Sequence, residues 1–249
     1  MVSTAELRIL ISGKSETDAA FKQAADGADG LMGKLGKLGE VMGGVLAAGA
    51  VTAGLGKAVG LFNDATAAAS NLQQSTGGVQ SVFGAAAGEV LAFGQTAANA
   101  VGLSKNAFNE LAAPLGAMLK NAGFGMDEVS GKTVDLTKRA ADMAATFGGP
   151  VDEAVSAITA ALRGESDPIE KYGVSLKAAD IEARALADSG KKTAKELTSQ
   201  ELAAARLALI FDQTASSAGQ FGRESDTAAG KAERLKAQQE NLSAQMGSY

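Results

Sequence analysis

The amino-acid sequence predicts an all-α protein, and three observations indicate this class. Glycine and alanine together make up one residue in three, since the 249 residues include 31 Gly and 52 Ala. Apolar residues recur at helical spacing over most of the chain, and two stretches have heptad spacing. Only one short segment, 6–12, alternates imperfectly like a strand. Because alanine favours helix and buries little area, we expect helices around a thin core.

Composition and charge shifts divide the chain into four predicted segments. The first is an extended arm or short strand, which a Gly/Ala-rich helical segment follows. A compact multi-helix region comes next, and the chain ends in the start of a coiled-coil-like helix. In order, these segments are residues 1–14, 15–78 (with an apolar stretch at 41–62), 79–222 and 223–249.

Two runs of residues have the alternating spacing of three and four that forms a coiled-coil seam. The first run, 31–45, overlaps the start of the apolar stretch, and the second, 232–246, has the polar Gln239 at a core position. Small residues four positions apart, such as Gly56 and Gly60, allow close contact between helices. We therefore predict self-association. The predicted contact residues are Leu31, Leu35, Leu38, Met42, Val45, Gly56, Gly60, Leu235 and Leu242.

The apolar stretch at 41–62 contains a single charged residue, Lys57. Its length suits a bilayer span, but glycine and alanine contribute little insertion energy and Lys57 opposes insertion. Two interpretations stay open: a helix buried against copies of itself, and a segment that can enter a membrane.

Turn and capping residues subdivide the 79–222 region. Predicted N-caps are Ser104, Asp167 and Thr198, the last two in capping boxes with Glu170 and Glu201. Acidic pairs at 127–128 and 152–153 start two further helices, where they stabilise the positive end of the helix dipole. The breaks are expected at 75–78, 102–104, 121–125 and 148–150, and the last two helices of the region at 177–188 and 199–221.

The sequence predicts no catalytic, cofactor-binding or metal-binding residue. The chain lacks Cys and His, which excludes disulfides, Cys- or His-ligated zinc and His-based nucleophilic catalysis. Two Gly-Lys motifs fail as phosphate loops because Arg8 and Met126 occupy positions where the loop needs glycine. Ser189 and Lys192 have a nucleophile–base spacing but lack companion motifs. A net charge of −5 argues against a nucleic-acid binder. We therefore expect a non-enzyme without cofactors.

The order of elements resembles the amino-terminal part of a tailed-bacteriophage tail tape measure protein. The opening strand and Gly/Ala-rich helix contribute to the likeness, and so does the apolar stretch at 41–62. The most specific part is the run Ala-Ile-Thr-Ala-Ala-Leu-Arg-Gly-Glu-Ser-Asp-Pro-Ile-Glu-Lys-Tyr-Gly-Val-Ser-Leu at 157–176, continuing to Leu186. It is similar to a segment that recurs in such proteins.

The resemblance implies a structural ruler in the virion. Several copies would lie in the lumen of the tail tube, set tail length during assembly in the host cytoplasm and assist DNA ejection. The partners implied are further copies, the tail-tube protein, tail assembly chaperones and, during infection, the host membrane. A wholly helical chain of this length would span on the order of 370 Å, because a helix rises about 1.5 Å per residue. The uncapped last helix predicts a longer parent chain.

Two other classes remain open from the residues alone. A membrane-active, pore-forming helical protein would use the apolar stretch at 41–62. A bacterial helical scaffold or signalling protein would use the helical region to bind a host partner. The first predicts leakage from liposomes, and the second predicts no link to tail assembly.

Overall fold

The computed structural model describes residues 51–224 and 227–248. By its internal contacts the chain divides into two units, Met1–Ala58 and Val59–Tyr249. In the first unit only residues 51–58 are described, and they are helical. The predicted arm at 1–14 and the contact residues Leu31, Leu35, Leu38, Met42 and Val45 lie outside the described residues.

The described residues are all-helical, which confirms the predicted fold class for this part of the chain. The boundaries of the four predicted segments stay a prediction. Short turns and 3-10 turns connect the helices. The helices are α1 Val51–Phe83, α2 Ala87–Val101, α3 Lys105–Asn121, α4 Met126–Phe147, α5 Val151–Arg163, α6 Asp167–Glu170, α7 Ala178–Ser189, α8 Ser199–Gln213, α9 Gln220–Glu224 and α10 Ala228–Met246.

Helix α4 is the central element of the second unit, because it contacts α2, α3, α5 and α9. The stripe that the sequence predicts on it is buried throughout: Val129, Val134, Leu136, Ala140 and Met143. Two buried threonines on the same helix, Thr133 and Thr137, donate their hydroxyls to carbonyls one turn earlier. Their polar groups are therefore satisfied inside the core.

Helix α1 runs through residues 75–78, so the loop expected there is wrong. Gly77 and Gly78 weaken an isolated helix, but side chains from α3 hold this turn. The Ser75 hydroxyl donates to Asn106 Oδ1 at 2.8 Å, and Asn109 donates to Thr76 Oγ1 at 3.3 Å. Tertiary contacts thus override the local turn signal.

The predicted capping box at Asp167 is also wrong. Helix α6 begins at Asp167 itself, and the residue before it, Ser166, has helical rather than extended backbone angles. The Ser166 hydroxyl donates instead to the Leu176 carbonyl. Because that hydroxyl is engaged across the loop, the short helix starts without a side-chain cap.

The helix expected at 199–221 is shorter than predicted, since α8 ends at Gln213. The Thr214 carbonyl accepts a hydrogen bond from Arg139 Nη1 at 2.7 Å, and a 3-10 turn follows. Gly219 then has a left-handed backbone with φ +75°, which turns the chain into α9. The sequence pattern predicts one continuous helix here, and contacts with α4 interrupt that helix after Gln213.

Other local predictions are confirmed. The Ser104 hydroxyl accepts the Ala107 amide at the start of α3, and Thr198 with Glu201 forms the predicted capping box of α8. Helix α3 ends at Asn121, the first residue of the predicted break at 121–125, and α4 ends at Phe147, immediately before the break at 148–150. Both acidic pairs, at 127–128 and 152–153, lie in first helical turns.

Candidate self-association surface

Helix α10 has two faces of opposite character, and the larger apolar residues are on the outer one. Ala237 and Ala244 are one heptad apart and buried against the rest of the unit, which α10 contacts through α2, α3 and α9. On a helix with 3.6 residues per turn, the 232–246 seam lies on the opposite side from these two alanines. The helix therefore packs inward with small residues and leaves its heptad seam outside.

The exposure of individual side chains shows how open this seam is. Leu235 is 65% exposed, Leu242 is 55% exposed and Met246 is 39% exposed. Among the described residues, the only other large hydrophobic side chain of comparable exposure is Phe147, at the end of α4. We call the set Ala232, Leu235, Gln239, Leu242 and Met246 the outer seam.

The structure thus places Leu235 and Leu242 together on one exposed face, as a contact surface requires. Association through that face stays a prediction. Gly56 and Gly60, which the sequence also predicts as contact residues, lie on α1. Met246 belongs with the two leucines. Its place at the next core position of the same heptad run is the signal that finds it.

Two surface grooves lie between helices of this unit. A polar groove of about 400 Å³ is lined by residues of α1, the start of α3 and α10, including Asn71, Asn106, Lys236 and Asn241. A more apolar groove of about 280 Å³ lies between α4 and α8, with Leu136, Leu207 and Phe211 on its walls. Both grooves are partly open to solvent.

The motifs that resemble reactive sites lie in structural positions. Gly131–Thr133 is inside α4, and Ser189 is the last residue of α7. The neighbouring Lys191 donates to a Glu201 carboxylate oxygen and to the Glu196 carbonyl, both at 2.7 Å. That lysine therefore ties the α7–α8 loop to the α8 capping box.

Glu201 is the centre of this small polar cluster. The hydrogen bond from Lys191 is the largest cause that lowers the pKa of its carboxyl to about 2, and the Thr198 amide adds to the effect. Arg184 forms a second exposed cluster, with Asp188 at 2.7 Å and Asp212 at 2.6 Å. The Arg184–Asp212 pair links α7 to α8 across the surface, whereas the Arg184–Asp188 pair lies within α7.

Two absences hold for the part of the chain that the structure describes. No group of three acidic side chains across 51–224 and 227–248 is arranged to hold a metal ion. Among the same residues, none of the helices combines the length and hydropathy that a membrane crossing requires. Residues 41–50 of the apolar stretch lie outside this range.

Comparison with known proteins identifies no relative of this chain. No protein-family profile, curated protein or solved structure matches the chain.

Proposed function

We propose that this chain is the amino-terminal part of a phage tail tape measure protein. In this role, several copies lie in the tail-tube lumen, set the length of the tail during assembly and leave ahead of the DNA. The observation that carries the proposal is the 157–176 run, whose residue types resemble a recurrent segment of that family. The remaining support is the helical architecture and the outer seam.

The structure explains why the 157–176 run has these residue types. Its large apolar members are core residues: Ile158, Leu162, Ile169, Tyr172, Val174 and Leu176 are all buried. Gly164 and Gly173 have left-handed backbones with φ +100° and φ +74°, which only glycine adopts readily. The likeness therefore falls on residues that specify a local fold, α5–α6 and the following loop, so it supports a shared domain.

A ruler also needs copies that associate along their length. The outer seam of α10 offers an apolar stripe on a preformed helix. The acidic net charge of −5 is compatible with DNA passing through the same tube, because like charges do not trap it.

Tail length is the direct test. Inserting whole heptads into α10 of the parent gene keeps the outer seam in phase and lengthens the helix by about 10 Å per heptad. We expect electron microscopy to show tails that lengthen in proportion to the number of inserted heptads. An equally long helical replacement, which changes sequence but not length, is the matched control. Tails of unchanged length after several inserted heptads would contradict the proposal.

A further inference from the structure

We propose that the first turn of α3, residues 104–107, couples the docking of α10 to the docking of α1, so that loosening either helix loosens the other. Three consecutive residues of that turn, Ser104, Lys105 and Asn106, carry the coupling. It is a property of the chain itself and does not depend on the proposed function.

Helix α10 is attached to the unit by few apolar contacts. Among its described side chains only Ala237 and Ala244 are buried, whereas Leu235 and Leu242 lie on the outer seam. Because alanine removes little apolar area from water, these two residues contribute little to docking. Polar contacts therefore carry a larger share of the docking free energy than they would in a helix packed through leucines.

One of these polar contacts reaches the start of α3. Asn241 Oδ1 accepts the backbone amide of Lys105 at 2.8 Å. Lys105 is the first residue of α3, so its amide has no acceptor within its own helix. The Ser104 hydroxyl accepts another such amide, that of Ala107, at 3.2 Å. The first turn of α3 is therefore capped jointly by its own serine and by an asparagine of α10.

The next residue of the same turn contacts α1. Asn106 Oδ1 accepts the Ser75 hydroxyl at 2.8 Å, and the same hydroxyl lies 3.1 Å from the Leu72 carbonyl within α1. Asn106 meets Ser75 only while the first turn of α3 is formed, because the backbone of that turn positions its side chain. Gly77 and Gly78 follow in α1 and weaken the helix there, so this stretch depends on its contacts with α3.

A second α1–α3 contact limits the size of the effect. The buried Asn109, one turn further along α3, donates to Thr76 Oγ1 at 3.3 Å and has no contact with α10 of its own. Loss of the α3 cap should therefore loosen α1 near Ser75 without detaching it. The expected change is that of one net hydrogen bond, about three- to tenfold in a local opening equilibrium.

Native-state amide hydrogen exchange on the full chain, followed by NMR, tests the coupling. The test variant is Asn241→Ala, and the matched control is Gln245→Ala, which removes an exposed amide side chain from the same helix. In the test variant we expect the amides of residues 75–79 in α1 to exchange about three- to tenfold faster, with no change in the control. Unchanged rates in the test variant would overturn the proposal. An equal acceleration throughout α5 would also overturn it, because that result would show a loss of global stability.

A conservative variant isolates the Lys105 amide as the link. Asn241→Asp keeps an acceptor at the same place, and a carboxylate is favourable at the start of a helix. Exchange at residues 75–79 should therefore stay within about twofold of the natural chain. An acceleration as large as that of Asn241→Ala would show that the cap of α3 is not the link.

Coupling between two sites is reciprocal, so a change in α1 must reach α10. Ser75→Ala removes the hydroxyl that contacts Asn106, and Ser81→Ala, at an exposed position of the same helix, is the matched control. We expect the amides of residues 237–244 in α10 to exchange about threefold faster in the Ser75 variant and at the natural rate in the control. Exchange in α10 that ignores Ser75→Ala would contradict the coupling.

A direct contact offers another route between the two helices. Gly247, just after α10, packs so closely against the Ala65 carbonyl of α1 that a side chain there would collide with it. The double variant Ser75→Ala with Asn241→Ala separates the routes. If the first turn of α3 carries the coupling, Asn241→Ala adds no acceleration at residues 75–79 once Ser75 is replaced. Acceleration by the full factor of the single variant would assign the coupling to the direct contact and overturn the proposal.

Discussion

The ring of Phe83 occupies the space where a side chain at position 116 would have to lie. Phe83 is 1% exposed, and a Cβ built on Gly116 would fall well inside van der Waals contact with its ring. We expect Gly116→Ala to destabilise the fold by about 1–3 kcal/mol, because a buried ring cannot move aside without disturbing its neighbours. Urea unfolding followed by circular dichroism measures this change.

Gly88 is the matched control for that substitution. It is also a helical glycine, and a Cβ built on it meets no heavy atom within 4 Å apart from its chain neighbours and its own helix backbone. Gly88→Ala should be neutral or stabilise by up to about 1 kcal/mol, because alanine has the higher helix propensity. If both substitutions had the same effect, the close packing of α1 on α3 would be refuted.

The Glu201 carboxyl is expected to titrate at about pH 2, mainly because Lys191 hydrogen-bonds to it and secondarily because the Thr198 amide does. A carboxyl whose pKa is lower in the folded than in the unfolded chain stabilises the fold at neutral pH. That contribution is lost as the pH falls from the unfolded value near 4.5 toward 2. Side-chain NMR titration of Glu201 measures the pKa directly.

Lys191→Met is the informative variant for this titration. It removes the largest cause of the shift, so the pKa of Glu201 should rise toward its ordinary range and acid unfolding should begin at higher pH. Lys192→Met, at the next position, should leave the titration unchanged. An unchanged Glu201 pKa in the Lys191 variant would show that the capping hydrogen bonds alone cause the shift.

Among the elements, α9 depends on one carboxylate of α4. Asp142 accepts the Gly219 amide at 2.8 Å and the Phe221 amide at 3.1 Å, across more than 75 residues of chain. We expect Asp142→Ala to destabilise by about 1–3 kcal/mol, because two amides lose a charged acceptor. Amide hydrogen exchange at Gly219 and Phe221 should accelerate more than exchange in α5.

Asp135 on the same helix is the matched control. Its carboxylate lies 3.7 Å from Lys138 Nζ, and both side chains are more than half exposed. Asp135→Ala should change stability by less than about 0.5 kcal/mol. Slow exchange at Gly219 and Phe221 in the Asp142 variant would mean that other contacts hold α9 in place.

The same helices show which features the sequence can predict. Ser104 and Thr198 cap their helices through residues three positions away, so the signal is complete within one turn. Residues 75–78 and the break after Gln213 depend on Asn106, Asn109, Arg139 and Asp142, which lie far away in the sequence. Local chemistry therefore predicts caps, whereas packing decides where long helices continue or break.

For the candidate surface, periodicity identifies the residues but not their environment. The heptad spacing groups Leu235 with Leu242 without any structure. The seam faces outward because α10 packs on the unit through Ala237 and Ala244. Sequence periodicity would instead predict that the larger residues, rather than the alanines, form the buried face. Periodicity alone does not distinguish a seam that packs within its own chain from one that faces outward.

At the scale of the whole molecule, charge is the property most open to test. With a formal net charge of −5, the chain should show no measurable affinity for duplex DNA at physiological salt. Fluorescence anisotropy with a labelled duplex checks this expectation. A binding constant whose logarithm falls linearly with the logarithm of the salt concentration would reveal a basic surface. That result would contradict both the charge argument and the unhindered passage of DNA.

The buried and the exposed face of α10 are expected to respond differently to substitution. Substitutions at the buried Ala237 or Ala244 are expected to disturb the fold of a single chain, whereas substitutions at the exposed Leu235 or Leu242 are expected to leave it intact. The outer residues of α10 are therefore the ones that can change with little cost to the helical unit beneath. Tolerance to substitution and constraint by packing thus alternate around one nineteen-residue helix.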